Sequence, residues 1–534
     1  MSLGAMQDFP LRIMRILDHA EREHGAREIV SARADGTIHR TNWTRVALDA
    51  RRLGQALERR GVKPGDRVAT LAMNHDRHLT TWFGVVGMGG VIHTLNPRLF
   101  DDQQNYIVNH AEDRVVIYDR CFAEVIERLR SEWKTVEHFI CFDDEFDDVL
   151  EAEDGDYRWY EGDEREPCGL CYTSGTTGNP KGVLYEHRST VIHTMSIIAP
   201  DIFDVSARSV MLPVVPMFHA GSWCIPYAAA MVGLKLVLCA DNKPEHICEL
   251  FNAEGVTHSA GVPTVWLGLI DHVEDTGASL GKLHTIIVGG SSAPPATIRW
   301  FRERNIRVNH LWGMTEMSPI GTVGAPPANW DSMSEDEQLA YMSRPGRSMF
   351  GVELRVVDDE GNIMPRDGMS SGRLQTRGPA VVKRYFKQDK ECVDSENWFD
   401  TGDIAVIHPD NSLRLTDRAK DVIKSGGEWI SSIEIENAAV GCPGVLEAAA
   451  IGIPHPKWDE RPLLLIVRDD GSTVGESEIR DFLSGQMAKW WLPDAIEFVE
   501  ELPHTATGKL SKKDLRGKYR DYRFANAEAM VGRD

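Results

Sequence analysis

The run Tyr172-Thr173-Ser174-Gly175-Thr176-Thr177-Gly178-Asn179-Pro180-Lys181-Gly182 holds the densest chemistry in the chain. Small and hydroxylated residues follow a strand-like approach and end at a lysine. Glycine lets the backbone curl until several N–H groups converge on one point, and the hydroxyls add further donors, so the run can cradle a phosphate. The spacing is not Gly-x4-Gly-Lys-Ser/Thr, which disfavours P-loop hydrolase chemistry. A solvent-exposed glycine and threonine loop is the plain alternative.

Other patterns are ambiguous when each is taken alone. Thr401-Gly402-Asp403 reads as a turn, Lys509 as one of many solvated lysines, His219 as a structural histidine and Trp312 as a core tryptophan. Trp223 and Cys224, with Val262, Pro263 and Thr264, read equally as plain core or as the wall of a ligand pocket. Of nine cysteines only Cys168 and Cys171 form a CxxC pair, and no second pair stands at zinc spacing, so neither a metal nor a redox site is expected from them.

Read in order, these patterns resemble the adenylate-forming superfamily of acyl-CoA synthetases, luciferases and peptide-synthetase adenylation domains. The loop at 172–182 is followed, in family order, by Pro216-Met217-Phe218-His219, Gly289-Gly290-Ser291, Trp312-Gly313-Met314-Thr315-Glu316 and Thr401-Gly402-Asp403. Asp417-Arg418-Ala419-Lys420, Ser425-Gly426-Gly427-Glu428 and Thr507-Gly508-Lys509 complete the series. The resemblance implies an α/β fold with a large N-terminal adenylate-forming domain of layered sheets and helices, a β-rich subdomain, and a small mobile α+β C-terminal domain. It implies that ATP and Mg2+ activate a carboxylic acid as acyl-AMP with release of pyrophosphate, and that coenzyme A then takes the acyl group with release of AMP. Two anions must meet in the first step, and their repulsion is several kcal/mol at an effective dielectric of about 20. Cations must gather there.

The same resemblance assigns roles. Glu316 is the Mg2+ ligand, Thr315 touches phosphate, and Lys509 bridges the substrate carboxylate and the phosphate. Thr173, Ser174, Gly175, Thr176, Thr177, Gly178 and Lys181 hold the phosphates. Gly290, Ser291, Trp312, Gly313 and Met314 border the nucleotide, Asp403 clamps the ribose hydroxyls, and Arg418 meets ribose or phosphate. Trp312 departs from the tyrosine usual in the family. His219 stands at the gate between acyl pocket and thiol tunnel, and Trp223, Cys224 and Val262 line the acyl pocket. Lys420 is the hinge about which the C-terminal domain turns, Gly426 and Gly427 let the pantetheine arm pass, and Trp458 stacks on the nucleotide end of CoA.

The runs Lys424 to Ser432 and Trp490 to Lys509 resemble the medium-chain and long-chain fatty acyl-CoA ligase branch, and 3-methylmercaptopropionyl-CoA ligases within it. A fatty or short methylthio acid is the expected substrate. An amino-acid adenylation module usually places an aspartate soon after the segment matched by Pro216 to His219, where this chain reads Ala220-Gly221-Ser222-Trp223. An aryl-acid adenylating enzyme and a luciferase-like adenylating oxygenase remain open alternatives. A non-catalytic nucleotide sensor should lack Glu316 or Lys509, and both are present.

Positioning these residues requires alternating strands and helices. From Thr41 to Arg60, Val46, Ala47, Ala50, Leu53 and Leu57 recur at helical spacing behind a Thr41 or Asn42 cap, and a turn at 61–66 feeds a strand at Val68 to Met73. Strand-length runs at His138 to Phe142, Leu234 to Cys239, Thr285 to Val288 and Arg307 to Leu311 alternate with helix-like stretches at Pro244 to Ala253 and Ala296 to Arg304. Such alternation predicts parallel sheet layered with helices. After about Ser371 the texture becomes β-rich, with strands at Gly372 to Thr376, Ile404 to His408 and Ser412 to Leu415. Beyond the charged stretch Asp417 to Lys420, strands are expected at Glu447 to Ile453 and Leu463 to Val467 and a helix at Glu476 to Met487. The expected domains are therefore 1–416 and 417–534.

A chain of 534 residues with 42% hydrophobic and 26% charged content is ordinary globular material of more than one domain. Its formal net charge of -22 repels nucleic acid and anionic membranes, so small molecules are the expected partners and a homodimer is the only assembly considered. No apolar run approaches the roughly 18 residues of a membrane span. Sparse cysteines and the lack of a signal-peptide pattern suit a reducing cytoplasm.

Overall fold

The computed structural model describes residues 4–173, 179–425, 428–469, 471–504 and 510–524. The chain groups into two compact units, Met1–Glu353 with Arg377–Phe399, and Leu354–Thr376 with Asp400–Asp534. Among the described residues no helix is long and apolar enough to cross a membrane.

The first unit is built on two sheets, and both follow the alternation in the sequence. In the larger, the neighbouring strands Glu28–Ala32, Lys235–Cys239, Val210–Pro213, His258–Gly261, Thr285–Val288 and Arg307–Gly313 run parallel. Antiparallel strands close its edges. In the smaller, His138–Cys141, Asp113–Tyr118, Arg67–Leu71, Val91–Thr94 and Pro167–Thr173 are parallel, and Lys181–Glu186 returns antiparallel to the last. Thr285–Val288 is buried along its whole length, as a strand covered by helices on both faces must be. The helix expected over 41–60 forms at Trp43–Arg59, and the cap is Asn42, whose Oδ1 accepts from the Arg45 N–H at 2.9 Å. Its buried face holds Val46, Ala47, Ala50, Leu53 and Leu57, the residues that set the helical spacing.

One core of this unit brings together Phe251, Trp266 and Phe301 from the helices Pro244–Glu254, Pro263–Thr276 and Pro295–Glu303. Each ring contributes about 1.5–3 kcal/mol by leaving water. These helices hold the carboxyl ends of the parallel strands in place.

In the second unit the β-rich segments form one four-stranded sheet, Glu353–Val357, Gly372–Arg377, Phe399–Ile407 and Leu413–Arg418. A second sheet orders Glu428–Ile430, Ile423–Ser425, Asp459–Arg468 and Val445–His455, with Ala495–Phe498 parallel to Asp459–Arg468. Asp417 and Arg418 belong to a strand and are not part of a charged connector. The Asp417 carboxylate is buried and accepts from the Ser432 N–H at 2.6 Å, at the start of the helix Ser432–Val440, where the helix dipole favours a negative charge. The helix expected to reach Met487 ends at Ser484, because Gly485 follows and glycine costs about 1 kcal/mol in a helix interior.

Candidate functional site

The phosphate-loop residues Ser174, Gly175, Thr176, Thr177 and Gly178 lie outside the described residues. Their flanks are well defined: Thr173 pairs with Lys181 and Tyr172 with Gly182 across an antiparallel hairpin, so both ends of the loop stand side by side. A side chain at Gly182 would press on Leu170, Phe386 and Tyr172 at 3.1–3.2 Å, and glycine is what lets the segment around Phe386 approach. Lys181 is exposed, and its Nζ stands 4.9 Å from the ring centroid of Tyr385. That ring passes the connection on, since the Tyr385 hydroxyl donates to Glu316 Oε1 at 2.9 Å.

Glu316 follows the strand Arg307–Gly313 in the short turn Thr315–Met317. The turn is tied at several points. A Cβ at Gly313 would stand 1.9 Å from Pro319 O, the same oxygen that accepts from the Met314 N–H at 2.8 Å, so no side chain fits at Gly313. The Tyr185 hydroxyl donates to Thr315 O at 2.8 Å, and the Val382 N–H donates to Glu316 O at 2.7 Å. Glu316 is only 7% exposed, and its carboxylate accepts from the Tyr385 hydroxyl. Among the described residues no three His, Cys, Asp or Glu side chains form a metal cage. An ion at Glu316 must take its other ligands from phosphates and water, which suits Mg2+.

The larger sheet gathers further expected residues. His219, Val262, Gly290, Ser291 and the 312–316 segment follow the carboxyl ends of four neighbouring strands, where open α/β sheets bind ligands. Gly290 has φ +89°, a conformation that suits glycine, and a Cβ there would lie 3.1 Å from Val262 Cγ1. Trp312 is buried, with its ring against Gly321, and Trp223 is buried against Gly289.

After His219 the backbone turns left-handed through Ala220, Gly221, Ser222, Trp223 and Cys224, with φ between 44° and 60°. For residues other than glycine this costs roughly 1–2 kcal/mol each, so the surroundings must hold it. Ser222 Oγ donates to Val215 O at 2.9 Å. The Asn74 amide donates to Val215 O at 3.0 Å, and its oxygen accepts from the Met217 N–H at 2.7 Å.

This turn walls a cavity of the first unit. Trp82, Leu170, Tyr185, Cys224, Tyr227 and Ser318 are among its walls. By residue type the lining is mixed, and several of its polar atoms are engaged elsewhere. Tyr185 is committed to Thr315 O, Ser318 Oγ donates to Ala380 O at 2.9 Å, and Trp82 Nε1 donates to His78. Cys168 and Cys224 direct their thiols to Tyr185 O and Ser318 O, both at 3.4 Å. Burial pushes these two thiols up to about 12 and Cys171 up to about 11, so all three stay protonated and behave as small apolar groups. No charged side chain lines the cavity among the described residues. Cys224 is in this wall, and Val262 and Trp223 stand beside the glycines of 289–290.

In the second unit, Asp403 and Arg418 face each other across two paired strands, with Arg418 Nε 2.8 Å from Asp403 Oδ1. Lys420 lies exposed just past that strand. Gly426, Gly427 and Lys509 lie outside the described residues. The hairpin around the two glycines closes with Ser425 opposite Glu428, and Ser425 also pairs with Asp459. Trp458 is therefore next to that glycine connection; it is 42% exposed, with Lys457 Nζ 4.7 Å from its ring centroid.

Sequence reasoning missed Tyr185, Tyr385, Trp82 and Asn74. Tyr185 was within reach, because Lys181, Val183 and Tyr185 alternate along one strand and share a face. Tyr385 lies in irregular chain and has no periodic signal.

The family model for AMP-binding enzymes matches residues 17–386, and that for the AMP-binding enzyme C-terminal domain matches residues 434–509. A 3-methylmercaptopropionyl-CoA ligase of Ruegeria lacuscaerulensis is 45% identical over 534 residues, covering 97% of this chain and 99% of its own. A medium-chain-fatty-acid–CoA ligase of Ectopseudomonas oleovorans is 45% identical over 543 residues, covering 99% and 100%. The fold is shared with the anthranilate CoA ligase AuaEII in complex with anthranoyl-AMP, at a TM-score of 0.86 and 23% identity over 96% of this chain and 99% of that one.

Proposed function

Because the chain belongs to the AMP-binding enzyme family and is an AMP-forming acid–thiol ligase, we propose that its acid is an unbranched aliphatic or short methylthio monocarboxylic acid, held in the cavity walled by Trp82, Leu170 and Cys224. The reaction runs in two steps: carboxylate and ATP form acyl-AMP and pyrophosphate, then the CoA thiol displaces AMP to give the thioester. The choice of acid rests on one observation, a wall with no charged side chain among the described residues, in which the Tyr185 and Ser318 hydroxyls and the Cys168 and Cys224 thiols are committed outward. An ammonium on the acyl tail would enter without a counter-charge, at a cost of several kcal/mol. A thioether sulfur needs none. Amino-acid activation is not favoured, since the cavity offers no carboxylate among the described residues.

Glu316 would hold Mg2+ together with the nucleotide phosphates, and the ion would neutralise phosphate charge as the carboxylate approaches. Tyr385 orients the Glu316 carboxylate, and Lys181 extends the positive charge toward the loop at 174–178. Asp403 and Arg418 serve the ribose and phosphate. The family resemblance supports residues 417–534 as a moving domain hinged at Lys420, with Lys509 serving adenylation and Gly426, Gly427 and Trp458 serving CoA. A homodimer, which sedimentation tests, and a cytoplasmic setting, which nine free cysteines suit, complete the proposal.

A panel of straight-chain, methylthio, ω-amino and aromatic acids, assayed for acid-dependent release of pyrophosphate and AMP with CoA, tests the reading. Straight-chain and methylthio acids should give the highest kcat/KM. Turnover of ω-amino acids at the same efficiency would refute the choice of acid.

A further inference from the structure

Trp82 walls the cavity from the helix Asp76–Gly87, whose residues are all buried, and is itself 2% exposed. A buried indole N–H needs an acceptor. It donates to His78 Nε2 at 3.1 Å, one helical turn earlier. His78 can accept there in only one state. Its Nδ1 lies 2.9 Å from Met73 O, and a carbonyl only accepts, so Nδ1 carries the proton and Nε2 the lone pair. Burial favours this neutral ring by pushing its pKa down to about 3. Thr70 Oγ1 shares the Nε2 lone pair at 2.9 Å, and the His78 N–H donates to His75 Nδ1 at 3.1 Å. Asp119 holds His75 in turn at 2.8 Å.

The other side of the indole faces the substrate cavity. Its ring centroid is 5.6 Å from that of Tyr227, and a Cβ added at Gly221 would lie 3.7 Å from its Cη2. Trp82 thus spans from a buried polar network to the left-handed turn, which also lines the cavity.

We propose that His78 is a positioning residue for acyl selection: by accepting the Trp82 indole N–H, it holds the indole edge against the turn at Gly221 and so sets the width of the cavity for the acyl tail. The proposal rests on the cavity being the acyl site. A histidine that only filled space would act independently of the indole N–H.

The experiment is kcat/KM for AMP release with short, medium and long straight-chain acids. The proteins are the wild type, His78→Phe, His78→Gln, Trp82→Phe, Trp82→Ala and the double variant His78→Phe/Trp82→Phe. His78→Phe should change the long-to-short ratio by about tenfold. His78→Gln, which keeps an acceptor, should restore most of the wild-type ratio, and His78→Phe should add nothing once Trp82 is phenylalanine. Equal shifts in both backgrounds would overturn the positioning role and leave the cavity assignment intact, as would no shift for His78→Phe where Trp82→Phe gives one. If neither Trp82→Phe nor Trp82→Ala moves the ratio, the cavity is not the acyl site and both readings fall. Should His78→Phe fail to fold by thermal unfolding, 3-benzothienylalanine at position 82 removes the N–H and keeps the bicycle. It should give the same shift, and an unchanged ratio would overturn the proposal.

Discussion

Removing one oxygen from Tyr385 isolates the contact that orients the carboxylate assigned to the metal. In Tyr385→Phe the ring face under Lys181 Nζ remains, and only the 2.9 Å hydrogen bond to Glu316 Oε1 is lost. A hydrogen bond to a charged group is worth about 1.5–3 kcal/mol. If the whole of it is felt in the adenylation transition state, the rate falls by roughly ten- to 150-fold, at 1.36 kcal/mol per factor of ten. The Glu316 backbone should hold its place, because the Val382 N–H grips Glu316 O and the Tyr185 hydroxyl grips Thr315 O. The loss should therefore appear in acid-dependent exchange of pyrophosphate into ATP and be partly recovered by excess Mg2+, while the thioester step from supplied acyl-AMP stays near wild type. Tyr385→Leu, which also removes the ring under Lys181, should be worse. Exchange within twofold of wild type at every Mg2+ concentration would show that Tyr385 does not position Glu316 for this step, and equal loss in both half-reactions would point to general damage.

Alkylation with iodoacetamide at pH 8 should spare Cys168, Cys171 and Cys224 in the native protein and label them after unfolding, because all three are buried and the thiolate is the nucleophile; native labelling by peptide mass spectrometry as fast as in the unfolded chain would contradict the closed wall. Gly313→Ala should destabilise the protein by about 1–3 kcal/mol in urea unfolding and abolish adenylation, since the new Cβ meets backbone oxygen and no rotamer can relieve it; an unchanged midpoint would refute the close approach. Glu436 is largely shielded, and desolvation pushes its carboxyl up to about 7 although Lys512 Nζ stands 2.8 Å away. A raised carboxyl keeps its proton in the folded state after the unfolded chain has released it, so its stability contribution is full below about pH 4.5 and is lost as pH rises toward 7. Glu436→Gln should flatten that part of the stability profile, and an unaltered slope between pH 5 and 7 would show that the carboxyl titrates normally.

What the sequence revealed and what it hid divide along the range of the interactions involved. Asn42 was readable as a cap because its bond reaches only to Arg45, and the strand Thr285–Val288 because its apolar residues end at a glycine. Each element forms from information carried within a few residues. The motif residues around 172–182 and 312–316 were legible for the same reason, as contiguous runs at strand ends. Tyr385 was not, because its partner Glu316 is 69 residues away and nothing local distinguishes it from any other tyrosine in irregular chain. The left-handed turn at 220–224 ran against its own composition: alanine, serine, tryptophan and cysteine all resist positive φ. It is held by Asn74, more than 140 residues earlier in the chain, through Val215 and Met217. The cavity was hidden by a subtler effect. Serine, cysteine and tyrosine in its wall suggest a polar site until the donors of Ser318, Cys224 and Tyr185 are traced to the carbonyls that receive them. Residue type fixes how many hydrogen bonds a wall can make, while the fold decides whether any remain for a ligand. In this protein those three donors are directed outward, and that direction makes a wall of mixed residues more apolar than its composition.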